Sequence, residues 1–151
     1  MNVNVDTREY VSVLREMVDQ GMEVSMTIAG TSMEPFLIHR RDKIYFRRPE
    51  GKIKKGDMVF FQRKTGEYVM HRVMMVKNKQ YYMAGDHQTF LEGPIEENQI
   101  FAKVVSVERA GEWITEEDRI WKFYANWWRR LFWTRKLVNK LVYKLKRIIG
   151  K

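Results

Sequence analysis

The sequence predicts a mainly β domain with one helix at each end, on the basis of three observations. The middle of the chain holds short runs rich in valine, phenylalanine and tyrosine, separated by turn residues. Both ends instead place apolar residues three and four positions apart, which is the spacing of an amphipathic helix. The length of 151 residues, 44% of them hydrophobic, suits one domain with a buried core.

The first predicted element is a helix that begins near the N-terminus and ends at Gly21. Its apolar residues form a single face, made of Val11, Leu14, Val18 and Met22. Charged side chains are spread over residues 1–26. We therefore expect neither a membrane span, which needs about 20 apolar residues, nor a cleavable signal peptide there. We interpret the helix as packed on the domain, with partner binding as the alternative.

Six strands are predicted between the two helices. They cover residues 23–28, 42–46, 58–62, 68–76, 80–84 and 101–108. Residues 64–66 are expected to form the tip of one hairpin, and residues 78–79 the turn of the next. A further turn is predicted at residues 111–112. The strands together form the β body of the domain.

Charge is distributed unevenly along the chain. Residues 119–151 carry 11 of the 28 lysine and arginine side chains and no aspartate or glutamate. Residues 1–118 carry the other 17 basic side chains and all 19 acidic ones. The formal net charge of +9 therefore comes from one segment. We divide the chain accordingly into a β domain with its helix (1–118) and a basic aromatic tail (119–151).

The tail is predicted to be an amphipathic helix that lies on a membrane surface containing anionic lipid. It holds four of the five tryptophans, and the apolar residues beyond them keep the spacing of one helix face. A basic face, an apolar face and boundary tryptophans are typical of a helix in the membrane interface. Docking on the domain or on a partner is the first alternative, and nucleic-acid binding is disfavoured. The candidate lipid-binding residues are Trp121, Trp127, Trp128, Trp133, Lys136, Lys140 and Lys144.

Three short motifs supply a serine, a histidine and an aspartate. A serine hydroxyl is a poor nucleophile unless a neighbouring base takes its proton, and histidine suits this task because its pKa lies near physiological pH. A carboxylate on the far side of the imidazole can hold the right tautomer and stabilise the imidazolium. Ser32, His71 and Asp86 are therefore the candidate nucleophile, base and orienting acid.

The motifs around these residues resemble those of the signal peptidase I family. The nucleophile of that family lies in a Ser-Met-x-Pro turn, matched by residues 32–35, and its endoplasmic-reticulum-type branch carries a His-Arg-Val segment, matched by residues 71–73. A Gly-Asp segment follows at residues 85–86, and residues 56–59 are similar to a strand entry of the family. The resemblance spans about residues 27–107. It implies a coiled β-sheet peptidase body, also found in the self-cleaving domains of SOS repressors, and an extended peptide substrate with small side chains near the cut.

The chain also departs from the family pattern at two positions. The second aspartate of the family corresponds to Glu92, so that Asp86 and Glu92 are both candidates for orienting the histidine. Many members have a serine two residues before the nucleophile, where this chain has Gly30. The resemblance therefore assigns the oxyanion hole to backbone N–H groups, those of Thr31 and Ser32.

These observations lead to one principal hypothesis and two alternatives. The first is a serine endopeptidase of the signal peptidase type that cleaves a leader or signal-type peptide, or a preprotein, near a membrane. The alternatives are an inactive peptidase-fold module that binds a peptide there, and a self-cleaving regulator of the SOS-repressor type. No metal or cofactor is expected, because the three histidines lack the spacing of zinc ligands and no phosphate-binding glycine loop occurs. The absence of cysteine fits a cytoplasmic protein, and the basic aromatic tail predicts that it is peripheral at the membrane.

Overall fold

The computed structural model describes residues 7–150. Residues 1–6, before the first predicted helix, and residue 151, at the end of the predicted tail, lie outside the described residues. Helix α1 (Thr7–Asp19) precedes eight strands. These are β1 (Val24–Thr27), β2 (Asp42–Arg47), β3 (Met58–Gln62), β4 (Tyr68–Lys77), β5 (Gln80–Ala84), β6 (Glu92–Glu96), β7 (Ile100–Arg109) and β8 (Glu112–Thr115). The C-terminal segment contains α2 (Arg119–Lys122), a π-helical turn (Phe123–Trp128) and α3 (Phe132–Ile149).

The strands form one antiparallel sheet. Its order is β1-β2-β7-β3-β4-β5-β6, with β8 paired to β7. The register shifts in four of the pairings, namely β2–β7, β3–β7, β4–β5 and β5–β6. Such bulges bend and twist a sheet. The predicted fold class is confirmed as a mainly β antiparallel sheet with a helix at each end.

All six predicted strands are present, with ends within one residue of the prediction. Asn78 and Lys79 both have positive φ values, 52° and 61°, as the tight turn of a two-residue hairpin requires. Strands β6 and β8 were not predicted, and β8 begins at Glu112, within the predicted turn. Strand β6 contains Gly93 and Pro94, which are unfavourable inside a sheet. It lies at the sheet edge, where proline is tolerated.

Helix α1 packs on the sheet through its predicted face. The helix ends at Asp19, and Gly21 follows with a φ of +87°. Met22 is exposed, because it lies beyond the end of the helix and not on its face as predicted. Three of the predicted apolar residues are buried in the main core: Val11, Leu14 and Val18. The interpretation of a helix packed on the domain is therefore confirmed.

The first half of the predicted tail packs on the β domain. Trp121 is buried in the main core, where its ring meets that of Phe36 edge-on, with 5.7 Å between ring centroids. Phe132 is buried in a smaller cluster with Met74 and Ala84. The prediction that Trp121 binds lipid is wrong, since a side chain enclosed in the core is not available to a membrane.

The second half of the predicted tail is exposed. Every residue from 136 to 150 is exposed to solvent. This stretch forms most of α3. Within residues 7–150, no helix combines the length and the apolar character needed to cross a membrane.

Candidate active site

Ser32 lies half-buried in the loop that joins β1 to β2. The loop is anchored after the serine by Met33 and Phe36, both of which are buried in the main core. Before the serine, the Gly30 backbone N–H donates to Nδ1 of His39 at 2.7 Å. Gly30 has a φ of +99°, a conformation that favours glycine. The candidate nucleophile is therefore held from both sides along the chain.

His71 lies within β4 and is buried, with 4% of its surface exposed. Its side chain and Ser32 line the same cavity, which has a volume of about 240 Å³. No hydrogen bond joins the two side chains within the described residues, and such bonds are often long in sites without substrate. The rest of the cavity wall is largely apolar and includes Val11, Met26, Ile44, Phe60, Tyr68 and Met70. The fold thus places the predicted nucleophile and base on the wall of one cavity.

The environment of His71 keeps its imidazole neutral. Burial lowers its pKa to about 4, because an enclosed site disfavours the charged form. The charges of Glu92 and Asp86 raise the pKa, Glu92 more strongly, whereas Arg63 lowers it. Nδ1 of His71 has no hydrogen-bond partner among the described residues. A neutral imidazole at pH 7 is able to accept a proton, as a general base must.

Asp86 is buried and binds Arg72, not His71. Nε and Nη2 of Arg72 donate to the two carboxylate oxygens at 2.7 and 2.8 Å. Nη1 of Arg72 donates to the Gly56 carbonyl at 2.7 Å. The side chains of Arg72 and Asp86 are 0% and 1% exposed. The expected contact of Asp86 with the imidazole is not formed, and its carboxylate pairs with the guanidinium of Arg72 instead.

Glu92 makes a similar pair with Arg63. Nε and Nη2 of Arg63 donate to its two oxygens at 2.8 and 2.6 Å. Within the described residues Glu92 forms no hydrogen bond to His71, so its predicted contact is not formed either. Its charge nevertheless raises the pKa of His71 more than the charge of Asp86 does. Of the two predicted orienting acids, Glu92 has the larger electrostatic influence on the base.

A tight turn of residues 85–88 supports the nucleophile from the other side. The His87 backbone N–H donates to the Ser32 carbonyl at 2.9 Å. A Cβ on Gly85 would lie 2.3 Å from the same carbonyl oxygen, so only glycine permits this close approach. The Gly-Asp motif therefore has two structural uses: Gly85 fits against Ser32, and Asp86 binds the buried arginine.

The backbone N–H groups of Thr31 and Ser32 donate no hydrogen bond to any other residue among 7–150. They belong to the loop that carries the nucleophile, where the predicted oxyanion hole lies. Backbone donors of this kind stabilise the oxyanion of acyl transfer. The arrangement suits hydrolysis of a peptide bond by a serine nucleophile.

The chain matches a known family over most of its length. The model of the Peptidase S24-like family matches residues 2–105, a range that includes Ser32, His71, Asp86 and Glu92 and more than two thirds of the 151 residues. The chain belongs to the Peptidase S24-like family. This S24-like family lies in the superfamily of SOS repressors and signal peptidases, so the predicted relationship is confirmed at that level. The class is that of serine peptidases and self-cleaving regulators. No curated protein matches the chain.

Sequence reasoning missed three side chains of the S24-like site. Arg72 directly follows the base in the His-Arg-Val motif, and its charge within an apolar strand was the signal of a buried partner. Arg63 belongs to no motif that could have revealed its pairing with Glu92. Trp128, predicted to bind lipid, is half-buried, and its Nε1 donates to the Asp86 carbonyl at 2.8 Å.

The S24-like chain offers no cluster of metal ligands in its described part. Within residues 7–150, no three side chains of histidine, cysteine, aspartate or glutamate are grouped so that they could hold a metal ion.

Proposed function

We propose that this chain is a serine endopeptidase that cleaves a leader or signal-type peptide while bound to an anionic membrane surface. The observation that carries the proposal is the cavity shared by Ser32 and His71, beside backbone N–H groups without a described partner. Membership of the Peptidase S24-like family supports the general class. The substrate and the membrane are inferred from this chain's own residues.

The proposed reaction proceeds through an acyl-enzyme. Oγ of Ser32 attacks the carbonyl carbon of the scissile bond while His71 takes the hydroxyl proton. The carbonyl oxygen becomes an oxyanion, to which the N–H groups of Thr31 and Ser32 donate. The C–N bond then breaks, and the imidazolium gives its proton to the leaving amine. Water attacks the ester by the same route, with His71 again as the base, and restores the serine.

The two carboxylates have different proposed roles. Glu92 acts on His71 through its charge, which favours the imidazolium formed during the reaction. Asp86 acts at a distance from the reacting atoms, because it neutralises Arg72 and fixes the turn beside Ser32. Glu92 therefore affects the proton affinity of the base more than Asp86 does, although its carboxylate is paired with Arg63.

The cavity beside Ser32 supports a substrate with an apolar side chain at the cleavage site. The cavity has a volume of about 240 Å³ and a largely apolar wall, so it has room for a side chain larger than a methyl group. A leucine or methionine side chain fits such a space, whereas alanine would leave most of it empty. Strand β1 lies at the sheet edge and leads into the Ser32 loop, so an extended peptide can pair with it. The proposed specificity is broader than the small side chains implied by the signal peptidase resemblance.

A peptide library tests the reaction. The purified chain and its Ser32→Ala variant are incubated with extended peptides that carry small and larger apolar residues, and the products are sequenced by mass spectrometry. We expect cleavage after apolar residues by the parent chain and none by Ser32→Ala. Ser106→Ala, a change on β7, serves as the matched control and is expected to retain cleavage.

Other outcomes would favour the alternative functions. Peptide binding without cleavage by the parent chain would contradict the proposal and favour an inactive peptide-binding module. Cleavage confined to the chain itself, and lost in Ser32→Ala, would favour a self-cleaving regulator.

The exposed part of α3 supports the membrane location. Its apolar side chains fall on about 140° of the helix circumference at 3.6 residues per turn. All of them are exposed, and they are Leu137, Val138, Leu141, Val142, Leu145, Ile148 and Ile149. The remaining circumference carries the basic residues Lys136, Lys140, Lys144, Lys146 and Arg147. Trp127 and Trp133 are also exposed, at 63% and 69%. This composition fits a helix lying in an anionic membrane interface.

Vesicle binding tests the membrane location. The triple change of Lys136, Lys140 and Lys144 to glutamine is expected to weaken binding to vesicles that contain phosphatidylserine about a hundredfold, since each lysine near such a surface contributes about 1 kcal/mol. Flotation of the protein with vesicles measures the change. The control replaces Lys52, Lys54 and Lys55, which are exposed elsewhere, by glutamine. Equal losses in both variants, or no binding by the parent chain, would contradict the proposal.

A further inference from the structure

The C-terminal segment contacts the turn of residues 85–88 at two points. Nε1 of Trp128 donates to the Asp86 carbonyl at 2.8 Å. Nη1 of Arg135 donates to the Gln88 carbonyl at 3.2 Å. Both donors lie beyond residue 105, outside the range matched by the family. The contacts are therefore a feature of this chain's own C-terminal segment.

The peptide group between Asp86 and His87 is bonded on both of its sides. Its C=O accepts from Trp128 at 2.8 Å, and its N–H donates to the Ser32 carbonyl at 2.9 Å. A peptide group is planar, so its C=O and N–H rotate together. The bond from Trp128 therefore constrains the direction of the bond to Ser32, and linked hydrogen bonds also strengthen one another.

The indole of Trp128 is itself held in place. Nη2 of Arg135 donates to the Trp128 carbonyl at 2.7 Å, and the guanidinium carbon lies 4.9 Å from the centroid of the indole. The ring of Tyr124 packs against the indole with 5.7 Å between centroids. A donor fixed from two sides can hold the orientation of the peptide group that it binds.

We infer that Trp128 is a positioning residue for Ser32, acting through the peptide group between Asp86 and His87. The inference rests on the proposed function, because its effect on kcat can be measured only if the chain cleaves a peptide. Loss of the indole N–H would let this peptide group rotate and would loosen the Ser32 carbonyl, without removing any group that touches the substrate. The effect is therefore expected on kcat and not on KM.

The test compares Trp128→Phe with Trp113→Phe. Phenylalanine keeps an aromatic ring at position 128 but has no N–H, and the exposed Trp113 on β8 provides the matched control. For Trp128→Phe we expect kcat to fall about fivefold, the equivalent of one ordinary hydrogen bond, with KM unchanged. We expect a small decrease in the urea midpoint of unfolding, because the same hydrogen bond also contributes to stability. The substrate is the peptide cleaved best in the library. We also expect faster hydrogen exchange at the His87 amide, measured by NMR, in Trp128→Phe alone.

The other possible outcomes separate a failure of this inference from a failure of the proposed function. Unchanged hydrogen exchange at the His87 amide in Trp128→Phe, with kcat equal to that of Trp113→Phe, would overturn the inference. Cleavage by the parent chain would still support the proposed function. A fall in kcat accompanied by faster exchange at amides throughout the sheet, and not at His87 in particular, would also overturn the inference, because it would indicate a general loss of folding. Faster exchange at His87 in a chain that cleaves nothing would uphold the contact and overturn the proposed function.

Discussion

Replacement of Asp86 by asparagine is expected to lower the free energy of unfolding by about 3–5 kcal/mol. The guanidinium of Arg72 would stay in the core, where its side chain is 0% exposed, without the carboxylate that neutralises it. Removal of one partner of a buried pair costs more than the pair itself contributes, because the remaining charge has no solvent. For a chain of this length the melting temperature should fall by roughly 10 °C.

Urea unfolding followed by circular dichroism at pH 7 measures this loss. The matched control is Glu117→Ala, which removes an ion pair to Lys122 with 3.8 Å between N and O at the surface. Such exposed pairs contribute about 0–1 kcal/mol, so little change is expected. If Asp86→Asn kept the parent's stability but lost cleavage, the carboxylate would act on the imidazole, as the sequence interpretation has it.

The sheet could be predicted from the sequence because its strands carry local signals. Alternation of apolar residues and turn chemistry identified β1 to β5 and β7 within one residue. The order of the strands has no such signal, since β7 pairs with both β2 and β3 across long stretches of chain. Strand β6 was missed because its pairing with β5 outweighs the poor strand preference of Gly93 and Pro94.

The charge of Arg72 within an apolar strand indicates a buried partner, but the sequence does not identify Asp86 as that partner, because the pairing depends on register. Adjacent strand residues point to opposite faces of a sheet, so that Arg72 and His71 face different environments. Arg72 lies opposite Ala84 on β5, and Asp86, two residues after Ala84, follows on the side of Arg72. A bulge between Val73 and Met75 accompanies this pairing, and the sequence gives no sign of it.

The composition of residues 119–151 predicted a distinct C-terminal segment. It did not show where this segment stops packing on the β domain. The sequence does not distinguish the tryptophans of this segment from one another. In the structure Trp121 is buried and Trp128 is half-buried, whereas Trp127 and Trp133 are exposed. The difference arises from their positions around the helical segment, which includes a π-helical turn. Such a turn shifts the faces of the residues that follow it, and a regular helical spacing does not reveal it.

Replacement of His71 by glutamine is expected to lower kcat by about 10²–10⁴-fold, the usual contribution of a general base. The pH profile of the parent chain carries the sharper prediction. Burial lowers the pKa of His71 to about 4, and only the neutral form accepts a proton. We therefore expect kcat/KM to stay constant as pH falls from 7 to about 5 and to reach half of its value near pH 4.

The same pKa shift predicts how stability depends on pH. The imidazole takes up a proton near its ordinary value of 6.5 in the unfolded chain, but only near 4 in the folded one. The unfolded state therefore binds more protons between these values, and stability falls as pH decreases from about 6.5 toward 4. The contribution of His71 is fully present above pH 6.5. His71→Gln should reduce this fall in the urea midpoint.

Two variants with opposite expected shifts identify the group that titrates. Glu92 raises the pKa of His71 and Arg63 lowers it. Glu92→Gln should therefore move the acid limb of kcat/KM to lower pH, because it removes a negative charge and frees a positive one. Arg63→Met should move the limb to higher pH for the converse reason. If neither variant moved the limb, or if the parent chain lost half of its kcat/KM near pH 6.5, the buried neutral imidazole would not be the base. An acid limb that moves in opposite directions with these two charges would assign the titration to His71.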